Sequence, residues 1–411
     1  MKKILVGLVA LALAGGGAFA QGWTFNGLVD GGLGIFILED EDYVDHDDMY
    51  VAPITREGTR GFRTQLVAAF VNESNTAGLN FRIRAQGTNW GLGGIWIDYD
   101  DATGEIEDVG FGTNLTAFFD FAFGWVTLFD GLATIQGGRV DNGMFVSQDR
   151  MWNDDSGEGL GLFLILDPIE NLRLGFAGFS RHQIYDSPLF LGGNDSATGV
   201  VAFSYVEPDL FRLTGGFRGV GTLGASQAYF SFAYLGMEDM HAAVTARFRN
   251  LEEFGDYGIM NFYATLAHSG LVDGLTLHLG GSLGMTMEDE RLIDGEDVDS
   301  NLHIWAWAGV EFALMDGVFV PRLDFHWVSG GHARANGGAQ SLHLNTIVDG
   351  HTFFDEENSF IRVQPSVQLR VAPNAFTEIG AIIHNDLGDN NTWVGGNGLN
   401  MAAYALVRGT F

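Results

Sequence analysis

The sequence contains no cysteine. This absence excludes a disulfide framework, a thiolate metal site, a cysteine nucleophile and a lipid anchor attached through an N-terminal cysteine. Beyond the first 20 residues, no apolar run approaches the roughly 20 residues that a membrane-spanning helix needs. Proline occurs only seven times, and 46% of the residues are hydrophobic, which is not the composition of a disordered chain. The chain thus has ample apolar surface but no spanning helix in its sequence.

Basic residues are scarce, and lysine is confined to Lys2 and Lys3. The 21 basic residues less these two lysines leave 19 arginines, against 52 acids, so the chain beyond residue 20 has a formal charge of 19 − 52 = −33. We expect no nucleic-acid partner, because phosphate binding requires the opposite sign. The acid excess has an equally good and simpler explanation: most of these acids keep the protein surface solvated and colloidally stable.

The first 20 residues have the pattern of a secretory signal peptide. A positive start is followed by the apolar segment Ile4 to Leu13 and by a small-residue cleavage site that ends at Ala20. We therefore expect cleavage after Ala20 and export of residues 21–411. No internal repeat, proline-rich linker or second composition is visible, which predicts a single domain over this range.

An exported chain without a spanning helix has one other way to cross a membrane. Every backbone polar group must be paired within lipid, which leaves only a closed, antiparallel, all-β barrel. The chain ends on an alternating strand with a terminal phenylalanine, Phe411, which is typical of a transmembrane barrel and not of a soluble domain. Closure predicts that Trp23 to Ile37 pairs with Leu399 to Phe411.

Period-two segments alternate along the chain with tight and long connections, as the short periplasmic turns and long outer loops of such a barrel do. Several of the tight connections are Asp-Gly or contain Pro and Asn, which hairpin turns select. They are Glu73 to Gly78, Asp130-Gly131, Asp167 to Asn171, Glu207 to Asp209, Gly236 to Met240, Ser269 to Asp273, Met315 to Gly317 and Ala372 to Asn374. The long, acidic or glycine-rich connections are Glu39 to Glu57, Asn89 to Gly110, Asn142 to Glu158, Arg181 to Thr198, Glu288 to Ser300, Ser329 to Asn358 and Asp386 to Asn397, with shorter ones near Val220 to Ser226 and Leu251 to Tyr257. The count predicts about 18 strands, or 16 if one hairpin is misassigned, with both termini on the periplasmic side.

The strands have two chemically distinct faces. Leu79 to Gln86 has one wholly apolar face and one face of Asn, Arg, Arg and Gln, and Phe360 to Val371 repeats this pattern. Four aromatic residues alternate between Phe119 and Trp125, a density that predicts a lipid-facing side. A soluble sandwich would show the same alternation with its polar face outside. Chain length, the export signal and the terminal Phe411 favour the barrel.

The segment Leu128 to Asn142 resembles the strand, turn and strand of Gram-negative outer-membrane porins, in which a tight turn precedes a strand that ends in Gly-Arg and a polar pair. The resemblance implies a water-filled channel in the cell outer membrane, surrounded by lipid, for passive diffusion of ions and small hydrophilic solutes. It also implies the barrel-assembly machinery as a partner, through Phe411, and leaves a homotrimer open. The lack of lysine and the large first acidic loop depart from the porin pattern, so subfamily and substrate stay unassigned.

The resemblance further implies a constriction. Gly143 to Glu158 is similar to the porin loop that folds into the lumen and narrows it, and its acids are Asp149, Asp154, Asp155 and Glu158. An arginine on the lipid face costs about 2 to 4 kcal/mol at mid-depth, so arginines in the strands are expected to line the pore. They are Arg63, Arg82, Arg84, Arg212, Arg218, Arg247, Arg249, Arg322, Arg362 and Arg370, with Arg173 and Arg408 on the same face. Facing the loop acids, they would place a transverse field across a narrow pore.

Two of these expectations have alternatives. Individual arginines could instead pair with wall acids such as Asp120, Glu311, Asp324 and Glu378 and simply hold water. Trp305 and Trp307 fall on the same face as His303 and Glu311, where they would form a sugar-stacking track. A register slip would place them in the aromatic girdle at the membrane surface, and we favour the girdle.

The sequence gives no sign of catalysis, a metal or a cofactor. Acid clusters at Glu39 to Asp48, Asp98 to Asp108 and Asp294 to Asp299 have the oxygen density that Ca²⁺ binds, but none has a calcium-loop spacing. The 11 histidines show no ligand spacing, and no nucleophile-elbow motif is present. We therefore predict a channel that is not an enzyme. The alternatives are a non-conducting surface barrel, acting as an adhesin or structural protein, and, more distantly, a barrel hydrolase.

Overall fold

The computed structural model describes residues 22–38, 48–54, 63–87, 95–99, 106–111, 115–141, 143–146, 158–181, 196–220, 226–249, 251, 259–286, 291–293, 296–298, 302–329, 360–372, 374–386 and 399–410. They form 23 β-strands and a short 3₁₀ turn at Phe129–Gly131. The strands are β1 (Trp23–Leu38), β2 (Asp48–Ile54), β3 (Arg63–Val71), β4 (Ala77–Gly87), β5 (Ile95–Tyr99), β6 (Ile106–Phe111), β7 (Leu115–Leu128), β8 (Ala133–Asp141), β9 (Glu158–Ile169), β10 (Leu172–Arg181), β11 (Ser196–Glu207), β12 (Phe211–Val220), β13 (Gln227–Tyr234), β14 (Met240–Arg249), β15 (Ile259–Val272), β16 (Leu275–Thr286), β17 (Arg291–Ile293), β18 (Glu296–Val298), β19 (Leu302–Phe312), β20 (Phe319–Ser329), β21 (Phe360–Ala372), β22 (Ala375–Asp386) and β23 (Leu399–Thr410). Among the residues in these ranges, no helix is long and apolar enough to cross a membrane.

Eighteen strands form one closed, antiparallel barrel. Going around the barrel, β1, β3 and β4 are followed by β7 to β16 and then by β19 to β23. β23 pairs with β1 from Leu28 opposite Thr410 to Ile37 opposite Met401. The predicted closed barrel, its 18 strands and its closing pair are therefore confirmed, and the 16-strand alternative is wrong.

All eight tight connections predicted from the sequence join neighbouring barrel strands at one end of the barrel. At two Asp-Gly turns the aspartates have positive φ, 55° at Asp130 and 56° at Asp316, and glycine follows with φ of 100° and 81°. Glycine accepts this left-handed backbone without the steric cost that a side chain brings, and aspartate tolerates it better than most residues. One turn is displaced from its prediction, because β15 continues through Val272 and the chain reverses at Asp273-Gly274 instead.

The five remaining strands lie within the long connections that the sequence predicted, and the sequence analysis did not predict these strands. β2 extends the wall by pairing with the outer half of β1, from Gly32 opposite Ile54 to Leu38 opposite Asp48. β1 has 16 residues whereas its neighbour β3 has nine, so its outer half needs a second partner for its backbone groups. β5 and β6 form a hairpin that touches β2 at Val51, and β17 pairs with β18.

The two faces of the barrel wall have opposite polarity. In β21, Arg362, Gln364 and Gln368 are at most 1% exposed, whereas Leu369 is 41% and Val371 82% exposed. The buried polar face is the concave inner one, because Arg322 of β20 reaches Glu378 of β22 across the intervening strand, with 3.7 Å between Nη1 and Oε2. A soluble sandwich would bury the apolar face instead, so that alternative is wrong.

The sequence predicted that the aromatic residues of β7 all face outward. In the structure, some of them face inward instead. Phe119 is 57% exposed on the outer face, but Phe121 is 8% and Phe123 7% exposed on the inner face. The pairing with β4 shifts between Arg82 and Ile83, which face Phe121 and Phe119. One extra residue in β7, Asp120, thus forms a bulge that inverts the alternation for the rest of the strand.

The seam between the first and last strands contains a buried ion pair. Asp30 of β1 is fully buried and lies opposite Arg408 of β23 on one side and Arg63 of β3 on the other. Its Oδ2 is 3.8 Å from Arg408 Nη1, and the Arg408 side chain is 23% exposed. Because the two residues face each other at one register only, the pair favours that register over a shifted one.

We expect Asp30→Asn to destabilise the barrel. Removing one partner of a buried ion pair costs about 3 to 5 kcal/mol, and the partial exposure of Arg408 places the expected loss at the lower end. The free energy of unfolding in urea, measured on the detergent-folded protein, gives the value. The exposed turn variant Asp130→Asn is the control, and the double variant D30N/R408Q should lose less than the sum of its single variants. Additive losses would mean that the two side chains do not interact.

Candidate functional site

The inner wall carries most of the arginines that the sequence assigned to a pore. The strands place nine of the ten predicted pore-lining arginines in described positions with side chains, and four of these side chains, Arg63, Arg247, Arg322 and Arg362, are at least nine-tenths buried. Arg249 lies in β14, but its side chain is outside the described residues. Arg173 and Arg408 share the inner face, with Arg173 Nε donating to Asp167 Oδ1 over 2.8 Å. Each arginine has its own surroundings, and these decide what its charge can do.

Arg322 is held by two wall acids. Its Nη2 and Nε donate to Glu311 Oε2 over 2.6 and 2.9 Å, and its Nη1 lies 3.7 Å from Glu378. Glu378, fully buried, also accepts hydrogen bonds from Gln368 Nε2 at 2.6 Å and from the Tyr404 hydroxyl at 3.0 Å. The sequence raised such pairing as the alternative for any one arginine, and at Arg322 the structure has it. This guanidinium is neutralised within the wall.

Arg82 and Arg84 lie two residues apart on the inner face of β4. With its amide oxygen turned toward them, Gln65 accepts from Arg84 Nε at 3.0 Å and Nη2 at 3.2 Å, and also from Arg63. The guanidinium carbon of Arg82 is 4.6 Å from the centroid of the Phe121 ring, a cation–π distance. The amide of Gln65 and the ring of Phe121 thus orient two guanidinium groups on this part of the inner wall.

Trp305 and Trp307 lie on the inner face, at 3% and 5% exposure, so the favoured girdle position is wrong. Trp307 Nε1 donates to Asp324 Oδ1 over 2.9 Å, and Trp305 Nε1 donates to His326 Nδ1 over 3.2 Å. His326 is fully buried and stacks on Trp307 with 6.3 Å between ring centroids. Because the ring faces are covered by wall residues, these tryptophans pack the wall and offer little surface for stacking sugars.

On the side of the barrel opposite β19 and β20, the inner wall is apolar. The sequence did not predict this apolar part. A buried cluster lines β7 to β11 and the segment that follows β8, and its members are Phe121, Phe123, Val140, Phe145, Phe163, Ile165, Phe179, Val200 and Ala202. The bulge at Asp120 brings the first two of these rings inward. The inner wall therefore has an apolar side and a charged side.

Residues 143–146 begin the predicted constriction loop, and they lie against the inner wall. Arg212 Nη2 of β12 donates to the Met144 carbonyl over 3.1 Å, although β12 is four strands away from β8, which the segment follows. Asp149, Asp154 and Asp155 lie outside the described residues, and so does the side chain of Glu158, the first residue of β9. The transverse field between these acids and the arginines stays a prediction.

Within the described ranges, no group of three or more His, Asp or Glu side chains is arranged to hold a metal ion. The acid clusters considered for Ca²⁺ fall mostly outside those ranges. His278 Nε2 lies 4.0 Å from Glu311 Oε1, beside Trp307, and so belongs to the charged side of the wall.

The chain matches no protein-family model and no curated protein sequence. Its fold is nevertheless found in solved structures of outer-membrane barrels. The outer membrane protein OprD from Pseudomonas aeruginosa superposes with a TM-score of 0.52 at 11% identity, covering 96% of this chain and 95% of that one. Acinetobacter baumannii OccAB1 superposes with a TM-score of 0.54 at 9% identity, covering 94% and 96%.

A third structure, OccAB3 from Acinetobacter baumannii, gives a TM-score of 0.53 at 10% identity over 94% of this chain and 99% of that one. These likenesses span the barrels from end to end, and at such low identity they establish a shared fold. The predicted resemblance to Gram-negative outer-membrane barrels is confirmed at that level.

Replacing Glu378 should destabilise the barrel far more than removing one of its neutral partners. Glu378→Gln leaves Arg322 without one of its two acids, which costs about 3 kcal/mol or more. Tyr404→Phe removes one neutral donor and should cost about 1 kcal/mol. Urea unfolding of the two variants in lipid vesicles measures both losses. Equal losses would mean that the charge of Glu378 contributes nothing to the network.

Proposed function

We propose that this protein is an outer-membrane channel for passive diffusion of ions and small hydrophilic solutes. The observation that carries the proposal is the inverted barrel, with an exposed apolar outer face and a polar inner face rich in arginine. An apolar surface over a whole closed barrel is stable in lipid and not in water. The shared fold with outer-membrane protein OprD and the N-terminal signal pattern support the same location.

The orientation follows from the connections. The eight short turns, the start of β1 and the end of β23 lie at one end of the barrel, which we assign to the periplasm. The long acidic connections then open to the cell exterior, where they enrich cations at the mouth. We further propose that residues 1–20 are removed after Ala20 and that residues 21–411 act as one domain.

Solute preference is expected to come from the inner wall. Arg84 contacts the amide of Gln65 and Arg82 lies over the ring of Phe121, whereas Arg322 is paired with Glu311 and Glu378. Small anions, including carboxylates, match the planar fork of a guanidinium. The constriction by Asp149, Asp154, Asp155 and Glu158, assembly through Phe411 and trimerisation remain further parts of the proposal.

Planar-bilayer recording of the purified, folded protein tests the channel directly. We expect discrete single-channel steps with a conductance proportional to bulk salt, as a water-filled pore gives. A protein that is folded by its heat-dependent gel mobility but never conducts would favour the alternative of a surface adhesin or structural barrel.

Ion selectivity tests the role of the arginines. Arg82→Gln with Arg84→Gln should raise the cation-to-anion permeability ratio, by roughly twofold, because charges in a narrow passage are little screened. The control is Arg139→Gln, since Arg139 shares the outer face with Ile135 and donates to the Phe119 carbonyl at 2.8 Å. The shift should shrink in 1 M salt, where the Debye length falls to about 3 Å. An unchanged reversal potential in the double variant would remove these arginines from the selectivity mechanism.

A further inference from the structure

We propose that Phe145 anchors residues 143–146 to the inner wall and so fixes how far this segment reaches into the channel, with Arg212 and Thr214 as positioning residues. This inference rests on the proposed channel function. It assigns Arg212 a different task from the solute-facing charge that the sequence predicted.

The anchor is a ring seated in an aromatic pocket. Phe145 is fully buried and meets Phe163 of β9 edge to face, with 5.6 Å between ring centroids and 78° between planes. Phe163 in turn stacks on Phe179 of β10 at 5.9 Å. Edge-to-face and offset-stacked aromatic pairs are favourable beyond the area they bury, so the pocket holds the ring in one orientation.

The wall leaves space for this ring at one glycine. A Cβ atom on Gly175 of β10 would stand 2.8 Å from Phe145 Cζ and 2.9 Å from Phe163 Cζ, closer than carbon atoms approach. The φ of Gly175 is not in the left-handed region, so the strand backbone itself would accept another residue. A glycine is needed at position 175 because the Phe145 ring occupies the space that a side chain would fill. Gly175 and Phe145 therefore form a matched pair.

The backbone on both sides of Phe145 is fixed as well. Arg212 Nη2 donates to the Met144 carbonyl at 3.1 Å, and Thr214 Oγ1 donates to the Val146 carbonyl at 3.2 Å. The donors are two residues apart on one face of β12, and so are the acceptors on the segment, so the two bonds align the segment with the strand. Arg173 Nη1 adds a contact to Met144 Sδ at 3.6 Å.

These contacts come from three wall strands and converge on three consecutive residues, Met144, Phe145 and Val146. A residue that only filled the wall core would not need side chains from β12 to hold its neighbouring carbonyls. The pocket around Phe145 and the two hydrogen bonds to the neighbouring carbonyls together hold residues 143–146 at a fixed depth inside the barrel. Releasing the ring should let the segment move off the wall and change the open cross-section.

Two variants release the anchor by different routes. Phe145→Ala removes the ring. Gly175→Leu keeps the ring but places a leucine side chain in the space that the ring occupies. Both should change single-channel conductance by roughly 1.5-fold or more and increase open-channel noise, because conductance follows the cross-section at the narrowest point. Phe230→Ala, which removes a 49% exposed ring from the outer face, is the control and should conduct as the unmodified protein does.

A combined variant separates positioning from simple packing. In Phe145→Ala with Gly175→Leu, the leucine refills the pocket, so the unfolding temperature should recover toward that of the unmodified protein while the altered conductance persists. Recovery of both, or unchanged conductance in folded Phe145→Ala, would overturn the anchor. A non-conducting unmodified protein would overturn the channel proposal instead, so the two failures are distinguishable.

Arg212→Gln tests the hydrogen bond from Arg212 to the Met144 carbonyl. A positioning residue should alter conductance and noise with little change in reversal potential, since its charge does not select ions. A shift in reversal potential at unchanged conductance would make Arg212 a pore-lining charge and would contradict its proposed task.

Discussion

The structure depends on the pairing of every barrel strand, including the first with the last, because lipid offers no partner to a free backbone group. Closure of β1 on β23 from Leu28–Thr410 to Ile37–Met401 sets one register, and side chains alternate with a period of two. That register decides which residues meet inside. It places Asp30 between Arg63 and Arg408 and gives Arg82 and Arg84 a common face.

Much of this fold could be predicted because its signals are local. Alternation within a strand and Asp-Gly at a turn need only a few neighbouring residues, and they gave the strand number, the turns and the closing pair. The bulge in β7 was not predictable in this way. One added residue at Asp120 leaves the composition of the strand unchanged, yet it turns Phe121 and Phe123 inward. The pairing of β2 with β1 was missed because it depends on the unequal lengths of β1 and β3.

The candidate site was harder to predict than the fold, because its contacts join distant strands. In the sequence, Arg84, Arg212 and Arg322 all lie on polar faces of alternating strands. In the structure, Arg84 faces an amide, Arg212 holds a backbone carbonyl and Arg322 is bound by acids from β19 and β22. Counting arginines therefore overestimates the positive charge available to a solute. Only the register of several strands together shows which charges are already compensated.

The apolar side of the inner wall needs a physical reason, since exposing phenylalanine rings to a water-filled lumen is unfavourable. The cluster around Phe163 avoids this cost because its rings are covered, and Phe145 from the segment after β8 completes the cover. The bulge in β7 supplies two further rings of this cluster, Phe121 and Phe123. An irregularity of one residue in the wall thus adds to an apolar surface that the segment after β8 helps to bury. Its position on one side of the barrel leaves the arginines of β3 and β4 and the ion pairs of β19 to β22 as the polar surface of the passage.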